Sequence, residues 1–162
     1  MKKRTKSSSP NKNITMVTID QIKQLREETL VSVVECKKAL EEAKGDMKKA
    51  KEILKKWGKD LAQKRTGKET CQGIVDSYIH PNKKIGVLLE LDCETDFVGK
   101  SQDFRNLAHE LCLQIAAMGD SVPLLEQPWI KDAAETVKDL INGYVAKLGE
   151  NITVKRFIRY EI

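Results

Sequence analysis

The sequence predicts an α+β protein: a small three-helix domain, then a core in which a three-stranded antiparallel sheet packs against helices. Three observations carry this. Apolar residues recur at helical spacing in three short runs within residues 16–57, each opened by a capping signal. The period then drops to two across residues 75–91, where two runs are separated by turn residues. After two further helical stripes the chain closes in ITVKRFIRYEI, a β-branched and aromatic run that supplies a third strand.

Residues 1–15 (MKKRTKSSSPNKNIT) lack apolar periodicity and are expected to form a flexible basic tail. The three-helix domain is assigned to residues 16–57. Thr18 and Gln21 form a capping box for the first helix, with Ile19, Ile22 and Leu25 on one face. Ser32 and Glu35 repeat the box for the second, whose stripe is Val33, Cys36, Leu40 and Ala43. Gly45 ends that helix, because glycine adopts the left-handed conformation freely. Asp46 caps the third helix, whose stripe is Met47, Ala50, Leu54 and Trp57, with Gly58 as its expected stop. Residues 58–70 (GKDLAQKRTGKET) read as a polar, basic connector, in part helical.

The core is assigned to residues 71–162. Val75, Ser77 and Ile79 alternate with Asp76, Tyr78 and His80; Ile85, Val87, Leu89 and Leu91 alternate with Gly86, Leu88, Glu90 and Asp92. Pro81-Asn82-Lys83 lies between and makes the pair an antiparallel hairpin. Ser101 is the expected N-cap of a helix carrying Phe104, Leu107, Ala108, Leu111, Ile115 and Met118, and Gly119 ends it. Residues 120–131 form an irregular link. Asp132 and Glu135 then box a last helix, with Val137, Leu140, Ile141, Tyr144 and Leu148 in its stripe and Gly149 as its stop.

The composition, 40% hydrophobic and 33% charged, is that of a soluble globular chain. No apolar run nears the roughly 20 residues that cross a bilayer, and the N-terminus lacks a secretory pattern. A cytoplasmic protein without membrane partners is expected. Cys36, Cys71, Cys93 and Cys112 are scattered without C-x-x-C pairing, so reduced thiols and no metal are expected. His80 and His109 have no nucleophile at a suggestive spacing, and no phosphate-cradling glycine loop occurs. These absences argue for a binding protein rather than an enzyme, with neither catalytic residues nor cofactors. Charge is uneven: residues 1–68 hold 19 Lys and Arg against 9 Asp and Glu, whereas residues 69–162 hold 10 against 15. A basic half suits nucleic acid, an acidic protein surface, or simply a solvated helix face.

The segment Cys93-Glu94-Thr95-Asp96-Phe97-Val98 stands between a buried strand and a helix. Two readings fit it. Thr95 or Asp96 caps the helix while Phe97 tucks into the core as a staple. Alternatively, Asp96 and Phe97 sit at an exposed tip, where the ring enters a partner's pocket.

Several long motifs resemble the elongation factor Ts family, in family order. They are LREETLVSVVECKKALEEAKGD at residues 25–46, DCETDFV at 92–98, LLEQPWIKD at 124–132 and GENITVKRFIRYEI at 149–162. The resemblance implies that the three-helix domain is ubiquitin-associated-like and that the core docks on the GTPase elongation factor Tu. It implies nucleotide exchange: Thr95, Asp96, Phe97 and Val98 match the family motif that enters the GTPase domain near its Mg²⁺ site and loosens GDP. Val33 and Val34 match the second-helix start that also meets that domain. The chain departs from the family in two places. Leu30-Val31-Ser32-Val33 replaces a glycine-containing turn, and only Gly119 to Pro123 stand where many members carry a long segment. That shortening suggests self-association, through the last strand Ile152 to Ile162. The alternative is an RNA- or ribosome-binding protein using the basic half, although Trp57 is the sole aromatic residue before residue 78 and nucleic acid lacks a stacking platform there.

Overall fold

The computed structural model describes residues 17–119 and 121–162, so the tail expected over residues 1–15 lies outside the described residues. The chain divides into two compact units, one ending at Ile53 and one spanning Leu54–Ile162.

The first unit is helical. Helix α1 (Ile19–Thr29) opens on the predicted capping box, with both Thr18 and Gln21 bonds made. Ser32 caps α2 (Val33–Glu42) by accepting from the Glu35 amide at 3.3 Å. Asp46 accepts from Lys48 and Lys49 amides at 3.0 and 3.2 Å, which opens α3 (Met47–Arg65). Leu25, Cys36, Ala39, Leu40, Ala43 and Ala50 form the buried set of this unit. Leu30 closes α1 at φ 57°, a left-handed conformation that Cβ opposes by about 1–2 kcal/mol.

Gly58 does not end α3, which continues to Arg65 and so contributes to both units. The glycine serves a close approach instead. A methyl there would lie 3.2 Å from Ala146 Cβ and 3.6 Å from the Asn142 carbonyl oxygen. About one turn before this contact Lys55 reaches Glu135 at 2.5 Å, and the residue just after it, Lys59, reaches Asp139 at 2.8 Å. Trp57, expected in the helical stripe, is only partly buried.

In the second unit, strands β1 (Gln72–Ile79) and β2 (Ile85–Cys93) form the expected hairpin, and β5 (Ile152–Glu161) pairs with β2. The antiparallel sheet has the order β1-β2-β5, so β2 is central and the closing strand is an edge. A register shift falls at Glu90/Leu91, and the last β2–β5 pair is Cys93↔Ile152. Val87, Leu89, Leu91 and Cys93 of β2 point into the core. Helix α5 (Gln102–Met118), capped by Ser101 and ended by Gly119 at φ 70°, covers that face with Phe104, Leu107, Leu111 and Ile115. Met118, expected in the same stripe, is exposed. On β1 the half-buried face is Ile74, Asp76 and Tyr78, while Val75 and Ile79 face solvent.

The link after α5 is more ordered than its sequence suggests. A 3₁₀ turn (Leu124–Glu126) leads into β3 (Pro128–Trp129), which pairs with β4 (Asp132–Thr136). The expected Asp132–Glu135 box is therefore a strand. The true box lies four residues on, where Thr136 and Asp139 cap α6 (Val137–Leu148). Two fully buried amides hold the link to α5. Gln114 Nε2 donates to Gln127 Oε1 and the Pro128 carbonyl, at 3.1 and 3.0 Å, and Gln114 Oε1 accepts from the Ile130 amide at 2.9 Å. Gln127 Nε2 donates to the carbonyls of Gly119 and Val122, at 3.0 and 2.8 Å. Every polar atom of the pair is thereby satisfied, the condition for burying amides cheaply. Among the described residues no helix is long and apolar enough to cross a membrane.

Candidate functional site

The CETDFV segment sits where β2 gives way to the short helix α4 (Asp96–Gly99). Its two ends are anchored and its middle is not. Cys93 is fully buried, and burial pushes its thiol up to about 11. It therefore stays protonated at neutral pH and donates to the Thr95 carbonyl at 3.2 Å. Val98 is buried in the core cluster, and Gly99 lies close enough that a methyl there would meet Cys93 Sγ at 3.5 Å. Thr95 is the N-cap, accepting from the Val98 amide at 3.4 Å.

Between these anchors Asp96 and Phe97 face outward. Phe97 is 85% exposed, the highest value among the large hydrophobic side chains of the described helices and strands. The staple reading fails: the ring touches little of its own protein. Val98, grouped with the contact residues by the sequence, points inward and fixes the turn. Asp96 pairs with Lys100 one turn on, at 2.5 Å and in solvent.

Two more carboxylates bind the base of the tip. Glu150 Oε2 accepts from the Thr95 amide at 3.0 Å, and its Oε1 accepts from the Thr95 hydroxyl at 2.6 Å. Glu94 Oε1 accepts in return from the Asn151 amide at 2.6 Å. Arg65, in the last turn of α3, donates to both Glu94 oxygens at 3.3 and 3.2 Å. Sequence inspection missed Glu94, Glu150 and Arg65 as tip-supporting residues. The motif quoted for the closing strand does begin GEN, but nothing local marks its partner 55 residues earlier.

Val33 and Val34 belong to the other unit. They occupy the first turn of α2 and are 47% and 62% exposed, beside the exposed Leu30. Among the described residues no group of three or more His, Cys, Asp or Glu converges to hold a metal ion. The buried thiols of Cys93 and Cys112 are raised by burial to about 11 and about 12, which keeps them poor nucleophiles.

A family model described as Elongation factor TS matches residues 94–162, which includes the tip and both carboxylate supports. The elongation factor Ts of Moorella thermoacetica is 42% identical over 194 aligned positions, covering 91% of this chain and 96% of the relative. That of Thermotoga maritima is also 42% identical, over 90% of this chain and 96% of its own length. That of Coprothermobacter proteolyticus is 38% identical, with 90% and 98% covered. The aligned spans exceed this chain's 162 residues, so these relatives carry residues within them that it lacks. Identity at this level across nine-tenths of the sequence means that the chain belongs to the elongation factor Ts family.

Proposed function

We propose that the chain binds elongation factor Tu and promotes release of its GDP, acting as a nucleotide exchange factor and not as an enzyme. The observation that carries this is Phe97: an aromatic ring 85% exposed, beside Asp96, on a turn whose flanks are fixed by Val98 and Thr95. A ring left in water gains by entering an apolar pocket, and rigid aromatic anchors supply much of the energy of docked interfaces. Asp96 adds an anionic group where Mg²⁺ and its ligands hold the nucleotide. Val33 and Val34 would give a second apolar contact on the GTPase domain. No bond need be made or broken. A protein that prefers the nucleotide-free partner must lower that partner's nucleotide affinity by the same factor. The test is release of labelled GDP from purified elongation factor Tu against increasing amounts of the full chain. A saturable rise in rate is expected; an unchanged rate at the highest concentration refutes the reading.

The RNA-binding alternative draws no support from the fold. Several lysines of the basic half already have acidic partners, among them Lys51 with Glu28, Lys55 with Glu135 and Lys59 with Asp139.

Self-association is supported by a different observation. The sheet face opposite α5 carries Val75, Ile79, Leu88, Ile158 and Tyr160, all between 44% and 68% exposed. Ser77↔Leu88 and Leu88↔Ile158 are direct cross-strand partners, so these side chains share one face. We propose that a second copy covers this face, which shifts the contact from the edge of the last strand to its outer surface. Sedimentation should show a concentration-dependent dimer that Leu88→Glu abolishes; a wild-type monomer at every concentration refutes it.

A further inference from the structure

We propose that Glu150 is a positioning residue for exchange: with Glu94 it forms a two-way clasp that holds the Asp96–Phe97 tip in its docking geometry before the partner arrives. The proposal rests on the exchange function proposed above.

The clasp is reciprocal. The side chain of Glu94 takes the amide of Asn151, and the side chain of Glu150 takes the amide of Thr95. Both bonds lie just beyond Cys93↔Ile152, the last pair of the β2–β5 ladder. Carboxylates thus continue the cross-strand bonding where backbone carbonyls have stopped providing it. Hydrogen bonds to ionised acceptors are roughly twice as strong as neutral ones.

Glu150 does more than bridge two strands, because both its oxygens fall on the same residue. One takes the Thr95 amide, which fixes the peptide plane entering α4. The other takes the Thr95 hydroxyl proton at 2.6 Å, which turns an oxygen lone pair toward the Val98 amide and completes the cap. A neutral amide side chain has a single acceptor oxygen and cannot set one oxygen on the amide and another on the hydroxyl. Arg65 donates to both oxygens of Glu94, at 3.3 and 3.2 Å, and so anchors the other half of the clasp. Phe97 itself touches little, so its direction is set by the Thr95 backbone. Without the clasp, the tip would sample other directions, and only the docking-competent fraction would bind. Apparent affinity falls in proportion to that fraction.

This predicts a split that a stability defect would not produce. The full chain is prepared as wild type, E150A and E150Q, with melting curves to show that each is folded. In the free protein, amide hydrogen exchange at Thr95 should accelerate on the order of 10-fold in E150A. In GDP release, the concentration for half-maximal stimulation should rise on the order of 10-fold while the saturating rate stays at the wild-type value. E150Q, which retains one acceptor oxygen, should fall between the two. Phe97→Ala should behave oppositely, lowering the saturating rate. If E150A does not fold, E150Q is judged on the same two readouts. Folded variants with wild-type half-saturation overturn the clasp. So does a fallen saturating rate at unchanged half-saturation, because that marks a group acting on the partner directly. A wild-type chain that fails to stimulate GDP release overturns the exchange reading, and the clasp's role with it. The Thr95 amide still reports in the free protein whether the clasp forms, so the two failures are told apart.

Discussion

Truncating Phe97 to alanine sets function against stability at one position. A phenylalanine buries about 200 Å² when fully covered. At 85% exposure roughly 30 Å² of that remains in contact with the fold, worth under about 1 kcal/mol at 25 cal/mol per Å². The better helix propensity of alanine in α4 offsets part of this. Phe97→Ala should therefore shift unfolding by no more than about 0.5 kcal/mol. Phe104, a few residues later at the start of α5, is the internal control. It is fully buried, and Phe104→Ala should cost about 3–5 kcal/mol. Exchange should rank the two variants the other way. An aromatic anchor that engages fully only as the nucleotide is displaced contributes about 2 kcal/mol or more to that state, so without it the saturating rate of GDP release should drop on the order of 30-fold. Denaturant titrations and GDP release are compared at a temperature where both proteins remain folded. A Phe97→Ala protein that melts like wild type and still gives the wild-type rate removes Phe97 from the mechanism. One that loses stability like Phe104→Ala refutes the exposure on which the argument stands.

Three other perturbations test the fold around the site. Gly73 pairs with Asp92, and a Cβ there would lie 2.2 Å from the Leu91 carbonyl oxygen; Gly73→Ala must displace β2 and should cost about 3 kcal/mol by denaturant titration. Leu30→Gly relieves a positive φ in the first unit and should raise its stability by about 0.5 kcal/mol, read as slower amide exchange across α1 and α2; faster exchange refutes the strain. The Lys59 ammonium, followed by the Thr136 cap, holds Asp139 below the usual aspartate range. Because the folded state lowers this acidity constant, its stabilisation is complete above the ordinary value near pH 4 and fades as pH falls through the folded value. Asp139→Asn should therefore destabilise the chain at neutral pH and flatten the acid limb of its stability curve; parallel acid limbs refute this.

What could be read from sequence follows a physical line. Local signals survived: the Thr18–Gln21 box, the Ser32, Asp46 and Ser101 caps, and the Gly119 and Gly149 stops all stand in the structure. Signals with two valid local solutions did not. Asp132-x-x-Glu135 and Thr136-x-x-Asp139 are both capping boxes, and pairing of Asp132–Thr136 with Pro128 and Trp129 selects the second. Gly58 reads as a helix stop until Ala146 arrives against it. The two faces of β1 are both partly apolar, so a period of two could not say whether Val75 or Ile74 faces the core. At the site, the tip was legible as a motif. Its supports were not, because Glu94 and Asn151 meet across 57 positions of sequence.

The buried Gln114–Gln127 pair makes the chain between Gly119 and Val122 a closed stitch. One amide nitrogen grips the carbonyls at both of its ends. Ser121, between those carbonyls, is exposed, so length beside it is free to vary while the anchors are held. A peptide tag or fluorophore-acceptor sequence inserted beside Ser121 should emerge as a tethered loop and leave the sheet, α5 and the Phe97 tip undisturbed. This gives a labelling port for following the protein on its partner. The same insertion after Gln127 would pull Ile130 from Gln114 and unseat β3.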